Sequence, residues 1–244
     1  MITARPIRFT ADIAGHRRIL EALGATLVTQ ADAWIVYAVG SGRLGLHEAG
    51  GSDQVDGTTV LGWEVDDLAA WSARAREAGV PATVGHTDHG LAATVTALDG
   101  TTFTVDPSVQ ARTPAPADRR LSVLPIWVTD QVLAARDVLL GIGAVARIAA
   151  DGGVWSDFSC DGGGLAAVHR AEQGAEPAAD VELAFEYDGD VEELVPVLQA
   201  ADVAAMLIDE TYSRTLQVAD PDRQGSTIWI NQRQADLYGY RNVG

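Results

Sequence analysis

The chain has 244 residues, with 17 basic residues against 34 acidic ones and a formal net charge of −17. Every basic residue is arginine and Cys160 is the single cysteine, which excludes lysine Schiff-base chemistry, a lysine-dependent phosphate loop and an intrachain disulfide. The negative charge disfavours nucleic acid and anionic membrane surfaces as partners. No signal peptide or spanning segment is visible, so we expect a cytoplasmic protein, either a monomer or a homodimer.

The first 55 residues predict a strand, a helix and further strands in that order. Residues 6–10 form a β-type run that ends near Asp12. A helix is predicted over 13–23, and it stops at Gly24, which can adopt the left-handed conformation of a helix C-terminus. Two β-type runs follow, at 33–39 and 43–47.

The next segment repeats this layout. A strand is predicted over 59–65, either Asp66 or Asp67 caps a helix over 68–78, and Gly79 ends that helix. Residues 91–97 and 101–105 predict a hairpin around Asp99-Gly100, because Asp-Gly between β-type runs is a strong turn signal. The segment 113–120 has prolines and no apolar period, and it is predicted to be a linker.

Two further copies follow the linker. The third has a strand over 121–128, Asp130, a helix over 131–140 ending near Gly141, and strands over 145–149, 154–160 and 165–170. The fourth has a strand over 181–187, a helix over 191–200, and strands over 206–209, 215–219 and 226–231. Pro196 lies inside the last helix pattern, which predicts a kink or a later helix start.

Four copies of one pattern predict an α+β protein made of two similar halves. The first domain is expected over 1–112, with modules at 1–55 and 58–109, and the second over 121–244. The openings that carry the repeat are Ile7-Arg8-Phe9-Thr10-Ala11-Asp12 with Leu23-Gly24, Trp63-Glu64-Val65-Asp66 with Ala78-Gly79, and Ile126-Trp127-Val128-Thr129-Asp130 with Leu140-Gly141. The closing segments are Leu98-Asp99-Gly100-Thr101-Thr102-Phe103 and Asp220-Pro221-Asp222.

These openings and closings resemble the vicinal oxygen chelate superfamily, the group of glyoxalase I, extradiol dioxygenases and bleomycin resistance proteins. The resemblance implies four βαβββ modules, paired into two glyoxalase-like domains with cup-shaped mixed sheets. It also implies that each cup is a site for a small molecule.

In metal-using members of this superfamily, the ligands come from the first and last strands of each module pair. The resemblance places these positions on Arg5, Gly45, Val60 and Thr104 in the first half, and on Val123, Ala167, Glu182 and Trp229 in the second. Only Glu182 is a metal-ligand type. His169 shares the face of Ala167, because side chains alternate along a strand. We therefore expect no metal cofactor, with Glu182 plus His169 as the alternative.

Tryptophans predict the ligand-binding surface, since aromatic faces in a concave sheet suit a flat apolar ligand. Trp229 occupies one of the ligand positions, and Trp127 has the same parity along its predicted strand as the ligand position Val123. Both are therefore expected to face the cup, followed by Trp34 and Trp155. Trp63 is expected to face the helix layer, and Trp71 to pack in the core.

Charged residues complete the predicted site. Arg5 can offer a fork of donors to a carboxylate or phenolate. Glu64, Glu182 and Glu186 can place carboxylates in the cups, where a cationic ligand would be favoured. The segment His86-Thr87-Asp88-His89 is predicted to be a loop, with a role as a lip over the first cup as the functional alternative.

The predicted function is metal-independent binding of a small aromatic or cationic molecule, such as drug or metabolite sequestration of the bleomycin-resistance type, without a cofactor. The alternative is a metal-dependent enzyme of the same superfamily, a lyase, isomerase or ring-cleaving dioxygenase. A third possibility is a regulatory partner whose cups are filled by side chains.

Overall fold

The first half consists of two five-stranded sheets and two helices. In a computed structural model, the described residues are 1–50, 55–87, 89–108, 117–174, 179–209, 213–235 and 237–244. The helices are α1 (Ile13–Ala22) and α2 (Leu68–Glu77). The strands, in chain order, are β1 (Ile2–Ala4), β2 (Ile7–Thr10), β3 (Thr26–Ala31), β4 (Trp34–Ala38), β5 (Arg43–Glu48), β6 (Thr59–Val60), β7 (Gly62–Val65), β8 (Ala82–Thr87), β9 (Gly90–Thr96) and β10 (Thr102–Pro107).

The second half repeats this arrangement. Its helices are α3 (Val132–Ile142) and α4 (Val195–Ala200), the latter preceded by a 3-10 turn over Val191–Leu194. Pro196 lies in the first turn of α4, which confirms the later helix start. The strands, in chain order, are β11 (Leu121–Val123), β12 (Ile126–Thr129), β13 (Val145–Ala150), β14 (Trp155–Ser159), β15 (Leu165–Arg170), β16 (Ala179–Glu182), β17 (Ala184–Tyr187), β18 (Ala205–Asp209), β19 (Arg214–Ala219), β20 (Thr227–Gln232) and β21 (Tyr240–Asn242).

Each opening segment of the four copies is divided between two sheets. The sequence predicted one continuous strand at 59–65, 121–128 and 181–187, and in the first copy it predicted only the second of the two strands, at 6–10. The sheets have the orders β3-β4-β5-β2-β6 and β1-β7-β10-β9-β8 in the first half, and β16-β12-β15-β14-β13-β21 and β11-β17-β20-β19-β18 in the second. Thus β1 and β2 are consecutive in sequence but belong to different sheets, and the same holds for β11 and β12. Each pair of sheets therefore exchanges a short strand, which ties the two modules of a half together.

In three of the four copies an aspartate caps the N-terminus of the helix or of the 3-10 turn before it. The Asp12 carboxylate accepts a hydrogen bond from Gly15 N at 2.8 Å, and Asp67 accepts one from Ala70 N at 2.9 Å. Asp190 accepts one from Glu192 N at 2.9 Å ahead of the 3-10 turn. In the third copy the residue before the helix is Gln131, not Asp130, and its side chain makes no capping bond.

Glycines end the first three helices. Gly24 and Gly79 have φ values of +79° and +82°, the left-handed conformation that favours glycine. The third helix continues past Gly141 and ends at Gly143, where φ is +107°, so its predicted end is two residues early.

The concave face between β3-β4-β5-β2-β6 and β1-β7-β10-β9-β8 is called the first cup, and the corresponding face of the second half is the second cup. The main hydrophobic core lies on the opposite faces of the sheets, where the helices pack, and it is continuous between the two halves.

None of the helices in the described part of the chain is long and apolar enough to cross a membrane.

Trp127 lies in this shared core and not in the second cup, which corrects the prediction from parity. Its side chain is fully buried, its ring packs against Phe103 of the first half, and its Nε1 donates to Asp99 Oδ2 at 2.9 Å. The parity argument was wrong because it counted from Val123, which is one residue before the position equivalent to Arg5. Leu124 holds that position, and the cup face continues through Ile126 and Val128, so Trp127 faces the core.

Candidate functional site

The first cup encloses a cavity of about 740 Å³ between its two sheets. Both sheets contribute apolar walls, so a ligand there would bury mainly carbon surface. The lining includes the side chains Ile7, Phe9, Val36, Val60, Leu91 and Phe103. A cavity of this size and character is typical of a site for a small molecule.

Two arginines and two carboxylates form an ion-pair network in the first cup. Arg5 Nε lies 3.0 Å from Glu64 Oε1, and Arg5 Nη2 also bonds Asp106 Oδ2. Arg43 Nη1 donates to Glu64 Oε2 at 2.5 Å. The side chains of Arg5 and Glu64 are almost completely buried, whereas that of Arg43 keeps 24% of its surface exposed. Sequence analysis identified Arg5 and Glu64, and the structure places both against this cavity.

Burial raises the pKa of the Glu64 carboxyl, and the charges of Arg5 and Arg43 oppose that rise. The nearby Asp106 adds to the rise because a second negative charge disfavours ionisation. Glu64 is therefore a carboxylate whose charge depends on its arginine partners.

Trp34 forms one wall of the first cup, as predicted. A Cβ atom on Gly45 would collide with the Trp34 ring, so this indole occupies the space above Gly45. The guanidinium of Arg5 lies over the same ring, 5.1 Å from its centre, in a cation–π contact. His47 contacts the ring from a neighbouring strand, with the centres 6.0 Å apart.

Asp106 and Arg43 are functional candidates that sequence reasoning missed, whereas His89 belongs to the segment that was considered as a lip over the first cup. His89 Nε2 lies 3.0 Å from Asp106 Oδ1, and His89 lines the cavity. Alternation could have found Asp106, because it lies two residues after Thr104 on the same strand face, and Arg43 likewise lies two residues before Gly45. His86 belongs to β8 and not to a loop, and Asp88 lies outside the described residues.

The residues at the four family ligand positions of the first cup do not fit a metal ion. Arg5 carries a positive charge, Val60 is apolar, Thr104 offers only a hydroxyl, and Gly45 has no side chain. The Trp34 ring also leaves no room for a donor at position 45.

Strand register fixes the corresponding positions of the second cup. Ile126 pairs with Ala167 as Ile7 pairs with Gly45, and Ala184 pairs with Trp229 as Gly62 pairs with Thr104. Leu124 precedes Ile126 by two residues, as Arg5 precedes Ile7. The equivalent of Arg5 is therefore Leu124 and not Val123, which was wrong by one residue because the third helix begins one residue later than Asp130 indicated.

Apolar side chains fill the floor of the second cup. Buried residues from both of its sheets form a separate cluster, Leu124, Ile126, Leu165, Ala167 and Ala184, against which Val128, Trp155 and Trp229 pack. The predicted residues Trp155 and Trp229 thus lie in this cup and are half-buried on its floor.

His169 and Glu182 lie on the same sheet face of the second cup, and both are exposed. His169 contacts Trp155 with the ring centres 5.9 Å apart, which repeats the His47–Trp34 pair of the first cup. Desolvation by the surrounding protein raises the pKa of Glu182, Asp180 raises it further, and His169 opposes the change.

Arg147 connects the two sheets of the second cup. It bonds Asp157 Oδ1 at 3.1 Å on one sheet and Glu186 Oε2 at 2.6 Å on the other. Burial works against the charged guanidinium, but the bonds and charges of the two carboxylates outweigh it and raise the pKa of Arg147. Glu186 is therefore engaged in holding the second cup together.

One cluster outside the cups has metal-ligand residue types. Within the described ranges, three or more such donors come within 4.8 Å of one another at His16, Asp220 and Asp222. Arg8 already bonds both carboxylates, with Nη2 2.6 Å from Asp220 Oδ2 and Nε 3.0 Å from Asp222 Oδ2. This cluster is therefore a buried ion-pair network between the two halves.

Comparison with known proteins identifies the fold. No protein family model and no curated protein sequence matches the chain. Among solved structures, the 2,3-dioxygenase LapB from Pseudomonas sp. KL28 has a TM-score of 0.63 at 13% identity, covering 97% of this chain and 92% of its own. The Mn(II)-bound glyoxalase from Novosphingobium aromaticivorans has a TM-score of 0.62 at 12% identity, covering 97% of this chain and 83% of its own.

A third similar structure is a xylose isomerase-like TIM barrel/4-hydroxyphenylpyruvate dioxygenase fusion protein, with a TM-score of 0.62 at 14% identity. The match covers 97% of this chain and 49% of the fusion protein, so the chain spans about half the length of that protein. The chain therefore has the α+β fold of these dioxygenase and glyoxalase structures, with paired glyoxalase-like domains, as its fourfold repeat predicted. At these identities the likeness defines the fold and not the activity.

Proposed function

We propose that the first cup binds a small aromatic molecule without a metal ion, as in sequestration of a drug or metabolite. The observation that carries this proposal is the apolar cavity of about 740 Å³ whose wall includes the Trp34 indole over Gly45. The donor set at the family ligand positions supports binding without a metal. In the second cup, apolar side chains pack on the floor and Trp229 stands where the first cup has Thr104.

The register between the halves supplies a matched pair of variants. Thr104 in the first cup corresponds to Trp229 in the second. Thr104→Trp gives the first cup the residue that the second cup has at this position, and the indole is expected to fill the cavity. Trp229→Thr removes the corresponding indole from the second cup. Isothermal titration with aromatic compounds and antibiotics should then show binding by the wild type and by Trp229→Thr, and at least about a tenfold loss in Thr104→Trp. Equal affinity in all three proteins would place the ligand elsewhere and overturn the proposal.

A metal-dependent enzyme is the second candidate. It is favoured by the similar structures, whose titles name dioxygenases and a Mn(II)-bound glyoxalase, and by Glu182 and His169 on one face of the second cup. Elemental analysis of the purified protein distinguishes the candidates. We expect substoichiometric Fe, Mn, Ni and Zn. Stoichiometric metal that is lost in both Glu182→Gln and His169→Gln would favour the enzyme.

A further inference from the structure

We infer that the aromatic ligand of the first cup carries an anionic group, a carboxylate or phenolate, and that Arg43 recognises it. This inference rests on the proposed function and adds the chemical class of the ligand. It reverses the expectation of a cationic ligand that the glutamates of the sequence suggested for this cup.

Each carboxylate oxygen in the first cup already lies against a positive or donor group. Glu64 Oε1 forms an ion pair with Arg5 Nε at 3.0 Å, and its Oε2 accepts a hydrogen bond from Arg43 at 2.5 Å. Asp106 Oδ1 lies 3.0 Å from His89 Nε2, while its Oδ2 is bonded by Arg5 and lies 3.3 Å from Thr104 Oγ1. A cationic ligand would compete with these buried partners for carboxylates whose charge is already neutralised. Replacing a buried ion pair in that way carries a large desolvation cost.

Hydrogen-bond donors, by contrast, remain available on Arg43. A guanidinium has five N–H groups, and Arg43 uses one nitrogen, Nη1, in its hydrogen bond to Glu64. The side chain lines the cavity and keeps 24% of its surface exposed. Its planar fork suits a carboxylate or phenolate oxygen, which forms stronger hydrogen bonds with a guanidinium than a neutral acceptor does.

The surroundings of Arg43 define the rest of the ligand. The walls at Ile7, Phe9 and Phe103 are apolar, so they suit a planar ring and exclude water from the charged contact. Arg5 is held by Glu64 and Asp106 and lies over Trp34, which keeps a second positive charge close by. The charges of the two arginines and the two carboxylates cancel, so the network does not repel an anion although the whole chain is strongly acidic.

The test uses matched triplets of ligands on benzene, naphthalene and indole rings, each as the carboxylate, the neutral amide and the aminomethyl cation. Isothermal titration gives the affinity of wild type, Arg43→Gln and Arg43→Lys for each compound. In the wild type we expect the carboxylate to bind about tenfold or more tightly than the amide, and the cation weakest. In Arg43→Gln the carboxylate and amide should fall within about twofold of each other, while amide affinity is unchanged.

Two controls separate recognition from general charge and folding effects. Arg233→Gln removes the same charge from an exposed pair with Asp188 and should preserve the preference for the carboxylate. Arg43→Lys keeps the charge without the fork and should retain part of that preference. If amide and carboxylate bind the wild type equally, or the cation binds tightest, the inference fails while the proposed function stands. If no compound of any triplet binds, both fail.

Discussion

At the scale of single residues, Arg5 decides the chemistry of the first cup. It occupies a position that the family resemblance assigns to a metal ligand, but it brings a fixed positive charge. Glu64 and Asp106 neutralise that charge, and Trp34 covers its face. Leu124 takes the equivalent position in the second cup and packs in an apolar cluster, while the ion pairs of that cup lie at Arg147, Asp157 and Glu186. The two cups therefore place their buried charges at different positions.

Replacing Arg5 by leucine should strongly destabilise the protein. Glu64 and Asp106 are both buried and would lose their shared partner, and breaking a buried ion pair typically costs about 3–5 kcal/mol. Urea denaturation of Arg5→Leu measures the loss. Adding Glu64→Gln and Asp106→Asn should recover part of it, because neutral amides are less costly to bury. A single variant within about 1 kcal/mol of the wild type would contradict this account.

At the scale of elements, the short strands that open each copy determine which side chains reach the cups. The chain leaves one sheet and enters the next within two or three residues, at Arg5-Pro6 and at Leu124-Pro125. Proline suits these points because it cannot donate a ladder hydrogen bond. Alternation nevertheless continues across these points, since Arg5, Ile7 and Phe9 all line the first cavity and Leu124, Ile126 and Val128 all lie in the second cup. Trp127 was misplaced because the count began at Val123 and not at Leu124.

Helix α3 offers a test at the same scale. Its preceding residue, Gln131, makes no side-chain capping bond, whereas Asp12 and Asp67 cap α1 and α2. Gln131→Asp should supply the missing acceptor and raise the free energy of unfolding by about 1 kcal/mol. Asp67→Ala is the converse control and should lower it by a similar amount, measured by urea titration. If the free energy of unfolding of Gln131→Asp equalled that of the wild type, the local backbone would not allow the aspartate to cap the helix.

At the scale of the whole molecule, the halves are joined by a common core and by specific polar contacts. Trp71 Nε1 donates to Ile142 O at 2.8 Å, and Trp127 reaches Asp99. On the other side, Arg8 and His16 of the first half bond Asp220 and Asp222 of the second.

Cys160 is buried beside the first half, and burial raises the pKa of its thiol to about 12, which leaves it unreactive.

The Arg8 network predicts acid sensitivity. Burial alone would raise the pKa of Asp222, but hydrogen bonds from His16 and Thr10 and the charges of His16 and Arg8 outweigh it and hold this pKa well below its usual value of 3.8. Because the folded-state pKa is the lower one, the stabilisation is complete above the unfolded pKa of about 3.9, declines as the pH falls below that value, and is lost only when the pH falls through the folded-state pKa.

Asp222→Asn should therefore lower the free energy of unfolding by about 3 kcal/mol at pH 7 and flatten its decline below about pH 5. Calorimetry should also show the two halves beginning to unfold separately. Asp188→Asn is the control, since Asp188 pairs with Arg233 on the surface and contributes little. If the free energy of unfolding of Asp222→Asn fell as steeply with decreasing pH as that of the wild type, this network would not be the origin of the acid sensitivity.

The sequence by itself determined the α+β class, the fourfold repeat and the superfamily fold, because strands, caps and glycine stops depend on local chemistry that recurs in each copy. Counting along the repeats also proposed Trp34, Arg5 and Glu64, which the structure places against the first cavity. Tertiary structure alone decided how the charges of that cup are paired and where Trp127 lies. The pairing depends on Arg43, Asp106 and His89 meeting across separate strands, and the place of Trp127 depends on a helix start that the sequence put one residue too early.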